Sequence, residues 1–106
     1  MTYVFDIDGT ICTNTNGNYE LAKPYKNRIR RVNELYDQGH KIIFQTARGM
    51  GRHQNKGDLA YLEFYEFTEN QLSDWGVRHH GLFLGKPSAD VYIDDKGLKD
   101  EEFFSN

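Results

Sequence analysis

Asp6 and Asp8 flank a single isoleucine in Phe5-Asp6-Ile7-Asp8-Gly9-Thr10, where a short apolar run gives way to a Gly-Thr turn. Like charges this close, half shielded at a strand end, are costly unless a cation or a proton compensates them. A purely structural turn would be better served by Asn, Ser or Thr. Other polar groups stand in the same relation to an apolar run: Thr46 after Lys41 to Gln45, Lys86 after Gly81 to Leu84, and Asp94-Asp95 after Val91-Tyr92-Ile93. A carboxylate pair, a hydroxyl, an amine and a second carboxylate pair suit phosphoryl transfer through a covalent intermediate. In that chemistry Asp6 attacks phosphorus, and Asp8 protonates the leaving alkoxide, then takes a proton from the hydrolytic water. Lys86 and the Thr46 hydroxyl hold phosphate oxygens and balance developing charge. Mg2+ would bridge a phosphate oxygen to Asp6, with Asp95, and Asp94 beside it, completing the oxygen set that a hard cation prefers. Gly9 allows the backbone close to the phosphate, and Thr10 can hydrogen-bond near the first aspartate.

These groups meet only if their strands lie side by side. Tyr3 to Ile7, Lys41 to Gln45, Gly81 to Leu84 and Val91 to Ile93 read as four short strands, alternating with helical segments. Pro24 suits the first turn of a helix carrying Ile29, Val32, Leu35 and Tyr36, which Gly39 closes. Asp58 can cap a second helix; Thr68 with Gln71 forms a capping box, so a break is expected near Phe67 before the helix ends at Gly76. Thr13 to Asn18 reads as a loop, with Tyr19 to Ala22 as its extended return limb making a small flap beside the carboxylates, and Met50 to Gly57 as a mobile loop. Phe103 and Phe104 are expected to dock on the body. Strands alternating with helices predict a parallel sheet with right-handed crossovers, whose carboxyl edge gathers the loops that bind ligands.

A chain of 106 residues holds one domain, 1–106, with one core. Its net charge of −3 disfavours nucleic acid or a membrane surface as the main partner. Cys12 is the single cysteine, so no intrachain disulfide forms and a cytoplasmic location is expected. No apolar run is long enough to span a bilayer.

Phe5-Asp6-Ile7-Asp8-Gly9-Thr10, Thr46 after its apolar run, Gly85-Lys86-Pro87 and Tyr92-Ile93-Asp94-Asp95 resemble, in order, the four motifs of the haloacid dehalogenase-like phosphatases. The resemblance implies a three-layer, Rossmann-like α/β sandwich with a mainly parallel sheet. It implies Asp6 as nucleophile, Asp8 as acid/base, Thr46 and Lys86 on phosphate, Asp95 on Mg2+ with Asp94 supporting, and Asp8 on the metal through its backbone carbonyl. Neither the loop after Thr10 nor that after Thr46 is long enough for an inserted cap domain. Thr46-Ala47-Arg48-Gly49-Met50, Gln71-Leu72-x-x-Trp75-Gly76 and Gly85-Lys86-Pro87-x-x-Asp90 are similar to small phosphatases associated with capsule and surface-sugar synthesis. The segment from Asp58 to Phe67 has no place in that pattern.

Around the phosphate, Gly9, Thr10 and Ala47 are candidate binding positions, and Arg48, Arg52 and His53, in the loop after Thr46, are candidate contacts to the leaving group or the phosphate. His79-His80 invites a metal reading, but adjacent strand residues point to opposite faces. The leading expectation is a Mg2+-dependent phosphatase acting on a small phosphorylated metabolite, a sugar phosphate before others. The alternatives are a nucleic-acid 3'-phosphatase, which the acidic balance disfavours, and a non-catalytic phosphate-binding module. A capless chain must still shield its site. Its supply of aromatics (Tyr61, Phe64, Tyr65, Phe67, Phe103, Phe104) therefore points to self-association as a homo-oligomer.

Overall fold

A computed structural model describes residues 1–105 of the chain. Strand β1 spans Thr2–Phe5, helix α1 Lys26–Asp37, β2 Lys41–Thr46, α2 Gly57–Asp74 and β3 Gly81–Leu84, with a short terminal helix α3 at Asp100–Phe103. The strands form one parallel sheet in the order β1-β2-β3, with Tyr3 opposite Ile42 and Phe44 opposite Leu82. The α/β class and the parallel sheet agree with the sequence.

The core lies on one side of this sheet. Phe5, Ile42, Phe44 and Leu82 point into it and meet Ile29, Val32 and Leu35 of α1 and Leu72 of α2. Strands laid down successively in one direction, joined by right-handed crossovers, put both helices on the same face. The opposite face keeps Val4 and Phe83 more than half exposed, at 53% and 60%. The second helical layer of a three-layer sandwich is therefore absent among the described residues, and so is the fourth strand. Val91-Tyr92-Ile93 is irregular and exposed, because β1 has no strand on its outer side and this segment does not reach it.

Both long helices end as the sequence predicts. After α1, Gly39 takes φ +91°, its N–H donates to Tyr36 O and that of His40 to Leu35 O. After α2, Gly76, Val77, Ser73 and Leu72 repeat the pattern, with Leu72 and Val77 both buried. Such ends satisfy carbonyls that the helix leaves open.

Four local expectations change. Asp58 lies inside the first turn of α2, whose N-cap is Lys56 with no side-chain cap. Pro24 precedes α1, whose first residue is Lys26. Tyr19–Leu21 is a single 3-10 turn rather than an extended limb. α2 runs unbroken through Phe67, because Thr68 and Gln71 spend their side chains on other partners instead of a cap. The tail behaves as expected: the Phe103 and Phe104 rings lie 5.5 and 6.0 Å from that of Phe5. No helix among the described residues is long and apolar enough to cross a membrane.

Candidate active site

The sheet's carboxyl edge brings together four of the predicted groups. β1 ends one residue before Asp6, β2 ends on Thr46, and β3 ends two residues before Lys86. The Lys86 N–H donates to Thr46 O at 3.2 Å, which ties the start of the loop after β3 to the end of β2. Its ammonium then reaches across the edge to 3.5 Å from Asp6 Oδ2. Asp6 Oδ1 accepts the Ile7 N–H at 2.9 Å, so the carboxylate is fixed at one oxygen and faces the lysine with the other. Burial pushes the Asp6 carboxyl above its usual range; the Lys86 charge and the Ile7 N–H oppose that shift, and the nearby Asp8 adds to it.

The turn after Asp6 is closed by its own backbone. Thr10 and Ile11 N–H both donate to Ile7 O, and Gly9 N–H to Cys12 O. Ile7, Ile11 and Cys12 are buried beneath it, and burial next to Asp8 pushes the Cys12 thiol up to about 12. That thiol is therefore packing, not a nucleophile.

Asp8 is held by a residue that the sequence placed elsewhere. Arg48 donates to both Asp8 oxygens, Nε to Oδ2 at 2.9 Å and Nη2 to Oδ1 at 3.0 Å. Its side chain is fully buried, with Nη1 3.3 Å from the Thr68 hydroxyl and the guanidinium 4.8 Å from the centre of the Tyr19 ring. Arg48 is thus no rim contact to a leaving group: it lies under the site, and a buried guanidinium needs the carboxylate it has found. Thr46 is buried too, its hydroxyl accepting the Arg48 N–H at 3.1 Å.

Tyr19 and α2 brace this pair. Tyr19 accepts the Gly49 N–H on its hydroxyl and the Gln71 amide on its carbonyl, at 2.9 and 2.8 Å. Gly49 has φ +79°, and a Cβ there would sit 2.6 Å from the Phe64 ring. Sequence reasoning put Tyr19 beside the carboxylates only as part of a flap and assigned neither Thr68 nor Gln71 to the site. Thr68 and Gln71 stand among other polar residues of a helical segment, where a local capping box accounted for them.

Arg52 and His53 stay on the rim, where both are engaged by Glu63, at 2.7 and 2.6 Å. The His53 contact, with Arg52 beside it, holds the Glu63 carboxyl below its usual range. The two histidines at 79–80 do not share a ligand: His80 Nδ1 accepts the Ile42 N–H, and the His79 ring stands edge-on to Phe44. A shallow groove of about 390 Å3 opens beside Gly9, lined by Tyr25, Lys26, Asn27, Arg28 and Asp100.

Asp94 and Asp95 are not at this edge. Both are exposed, and their contacts are local, to Lys96 and its backbone. Among the described residues no three His, Cys, Asp or Glu side chains stand close enough together to hold a metal ion. One chain therefore offers Asp6, already paired with Lys86, and Asp8, already paired with Arg48. That set does not fit Mg2+, which needs several oxygen ligands in a regular arrangement.

No protein-family model and no curated protein matches the chain. Its fold is similar to that in a crystal structure of a structural-genomics target from Vibrio cholerae. The TM-score is 0.89 at 24% identity, over 99% of this chain and 88% of that one.

Proposed function

We propose that the chain is a phosphomonoester hydrolase that works through an aspartyl-phosphate on Asp6, with a small sugar phosphate as its substrate. The observation carrying this reading is the Lys86 ammonium 3.5 Å from Asp6 Oδ2, at an edge that also holds Thr46 and Asp8. The resemblance of these positions to the haloacid dehalogenase-like phosphatases supports it.

Asp6 Oδ2 forms the bond to phosphorus as the bond to the leaving oxygen breaks. Asp8 passes a proton to that alkoxide through a lone-pair position that Arg48 leaves open. Water then attacks phosphorus, Asp8 takes its proton, and the P–Oδ2 bond breaks to return the Asp6 carboxylate and release phosphate. Lys86 stands beside the transferring group throughout, neutralising charge in a partly dry site. Arg48 fixes the direction of the Asp8 carboxylate; a carboxylate offers about four lone-pair sites, so two remain beyond those the guanidinium occupies. These steps are carried by Asp6, Asp8, Lys86 and Arg48, which one chain brings together.

A panel of phosphorylated sugars, nucleotides and 3'-phosphorylated oligonucleotides, assayed with wild type and Asp6→Asn, tests the reading. It expects turnover of at least one sugar phosphate that disappears in the variant. Turnover that survives in Asp6→Asn would refute the assigned nucleophile, and preference for the oligonucleotide would reject the sugar.

A further inference from the structure

The segment from Gly85 to Lys99 leaves the end of β3 and crosses to α3 without joining the sheet. Its root is held: the Ser88 N–H donates to Asn55, and the Tyr92 hydroxyl donates to Pro87 O while its ring receives the Lys86 ammonium at 4.2 Å. On either side of Tyr92, Val91, Ile93 and Leu98 stand in solvent, Ile93 being 95% exposed. An apolar, strand-forming run held away from its own core is half of an interface.

The other half is the outer edge of β1, which has β2 on one side and no strand on the other. An unpaired edge invites another strand. The chain cannot supply that strand to itself in the direction the site needs. Only residues 85–90 separate the end of β3 from Val91, whereas a parallel crossover takes a dozen or more residues. Six residues extend at most about 20 Å. Descending the sheet, about 13 Å for four residues, and passing outside β1, about 14 Å sideways, already needs about 19 Å in a straight line, and the added detour over the sheet's face exceeds that reach. An antiparallel approach is short enough, but it would carry Asp94 and Asp95 to the amino edge, away from Asp6.

We infer that two copies of this chain exchange these arms. Val91-Tyr92-Ile93 of each adds a parallel strand to the open edge of β1 in the other, and Asp94-Asp95 arrive at the other copy's Asp6. Each chain carries one arm and one open edge, so a two-fold pair satisfies both at once, with no strand left over. The pair also accounts for the mismatch in the single chain: the carboxylates that a divalent cation would require are present in the sequence, yet out of reach of the site they belong to. The catalytic part of this inference rests on the phosphatase reading; the exchange itself does not.

The test therefore has two readouts. Light scattering at micromolar concentration should show a wild-type dimer and an Ile93→Asp monomer. Ile93 touches little in its own body, so that variant should fold as before by circular dichroism. A monomeric wild type, or an unchanged Ile93→Asp dimer, would overturn the exchange whether or not any substrate is found. Second, Asp6→Asn and Asp94→Asn/Asp95→Asn chains carrying different tags are co-expressed, and the mixed dimer is isolated. With p-nitrophenyl phosphate and Mg2+, exchange predicts about half the wild-type activity, because one of the two sites has an intact body and an intact arm. A mixed dimer as dead as its parents would show that Asp94 and Asp95 do not act across the pair. A wild-type dimer without phosphatase activity would defeat the proposed function and leave the exchange to be judged by the Ile93→Asp result.

Discussion

The carboxyl edge and the arm from Gly85 to Lys99 carry motifs of equal clarity, and the fold treats them in opposite ways. At the edge every charged group has a partner across the sequence: Asp6 with Lys86, Asp8 with Arg48, Arg48 with Thr68. In the arm, Asp94 and Asp95 have only their neighbour Lys96. The difference is one of connection. Asp6, Thr46 and Lys86 follow strands that already pair, so proximity costs no further chain. The arm follows a strand at the far side of the sheet, and six residues cannot bring it round. A motif fixes the kind of chemistry; the length of chain between motifs decides whether one molecule can assemble it.

The sharpest way to break this contrast is at Asp6. Asp6→Asn should lower turnover by at least about a thousandfold, since an amide cannot serve as the nucleophile. The same variant should fold at least as well as wild type at pH 7. Burial raises the Asp6 carboxyl above its usual range, so the folded state holds that proton more firmly than the unfolded chain does. This contribution works against stability as pH rises through the raised value, and is absent in acid, where the group is neutral in both states. The melting temperature of Asp6→Asn should therefore match or exceed that of wild type at pH 7, and the difference should close on acidification. A variant that melts lower at pH 7 would mean that the Lys86 contact outweighs burial.

Arg48 comes next. Arg48→Ala removes a buried guanidinium and leaves Asp8 without its bidentate partner, so both stability and activity should fall. The stability loss should be about 2–4 kcal/mol by denaturant titration, somewhat below that for a fully buried pair because Asp8 is partly exposed. The rate should drop by roughly a hundredfold if Asp8 is the acid/base that Arg48 aims. Thr68→Val probes the same brace more gently and should cost about 1 kcal/mol.

Arg52→Ala should do far less. The residue is exposed and paired with Glu63, and such pairs contribute about 0–1 kcal/mol. Any effect on turnover should depend on the leaving group and vanish with p-nitrophenyl phosphate. Equal effects of Arg48→Ala and Arg52→Ala on stability would erase the distinction between the brace and the rim.

Much of this division was legible beforehand. Asp6, Asp8, Thr46 and Lys86 could be placed at one edge because three apolar runs alternate with helical segments, a pattern that leaves a parallel sheet little choice. Gly39 and Gly76 announced the helix ends for an equally local reason. Arg48 was misplaced because residues after a strand usually face solvent, and nothing nearby shows that an acid forty residues earlier will turn it inward. The bond between Tyr19 and Gln71 was missed on the same ground: it spans fifty-two residues and joins a turn to a helix flank. The fourth strand was read from the apolar composition of Val91 to Ile93 alone, and the segment forms no strand in this chain's sheet. Composition shows what a segment can pair as, but not with whom.

The central claim is that Asp6 becomes phosphorylated at this edge. The direct measurement is acid quenching of the protein during turnover of p-nitrophenyl phosphate, followed by mass spectrometry of the peptide that carries Asp6. The account predicts a single phosphoryl adduct on Asp6, absent in Asp6→Asn and accumulating in Asp8→Asn, where hydrolysis is slowed. Steady turnover with no adduct on Asp6, or an adduct on any other residue, would contradict it.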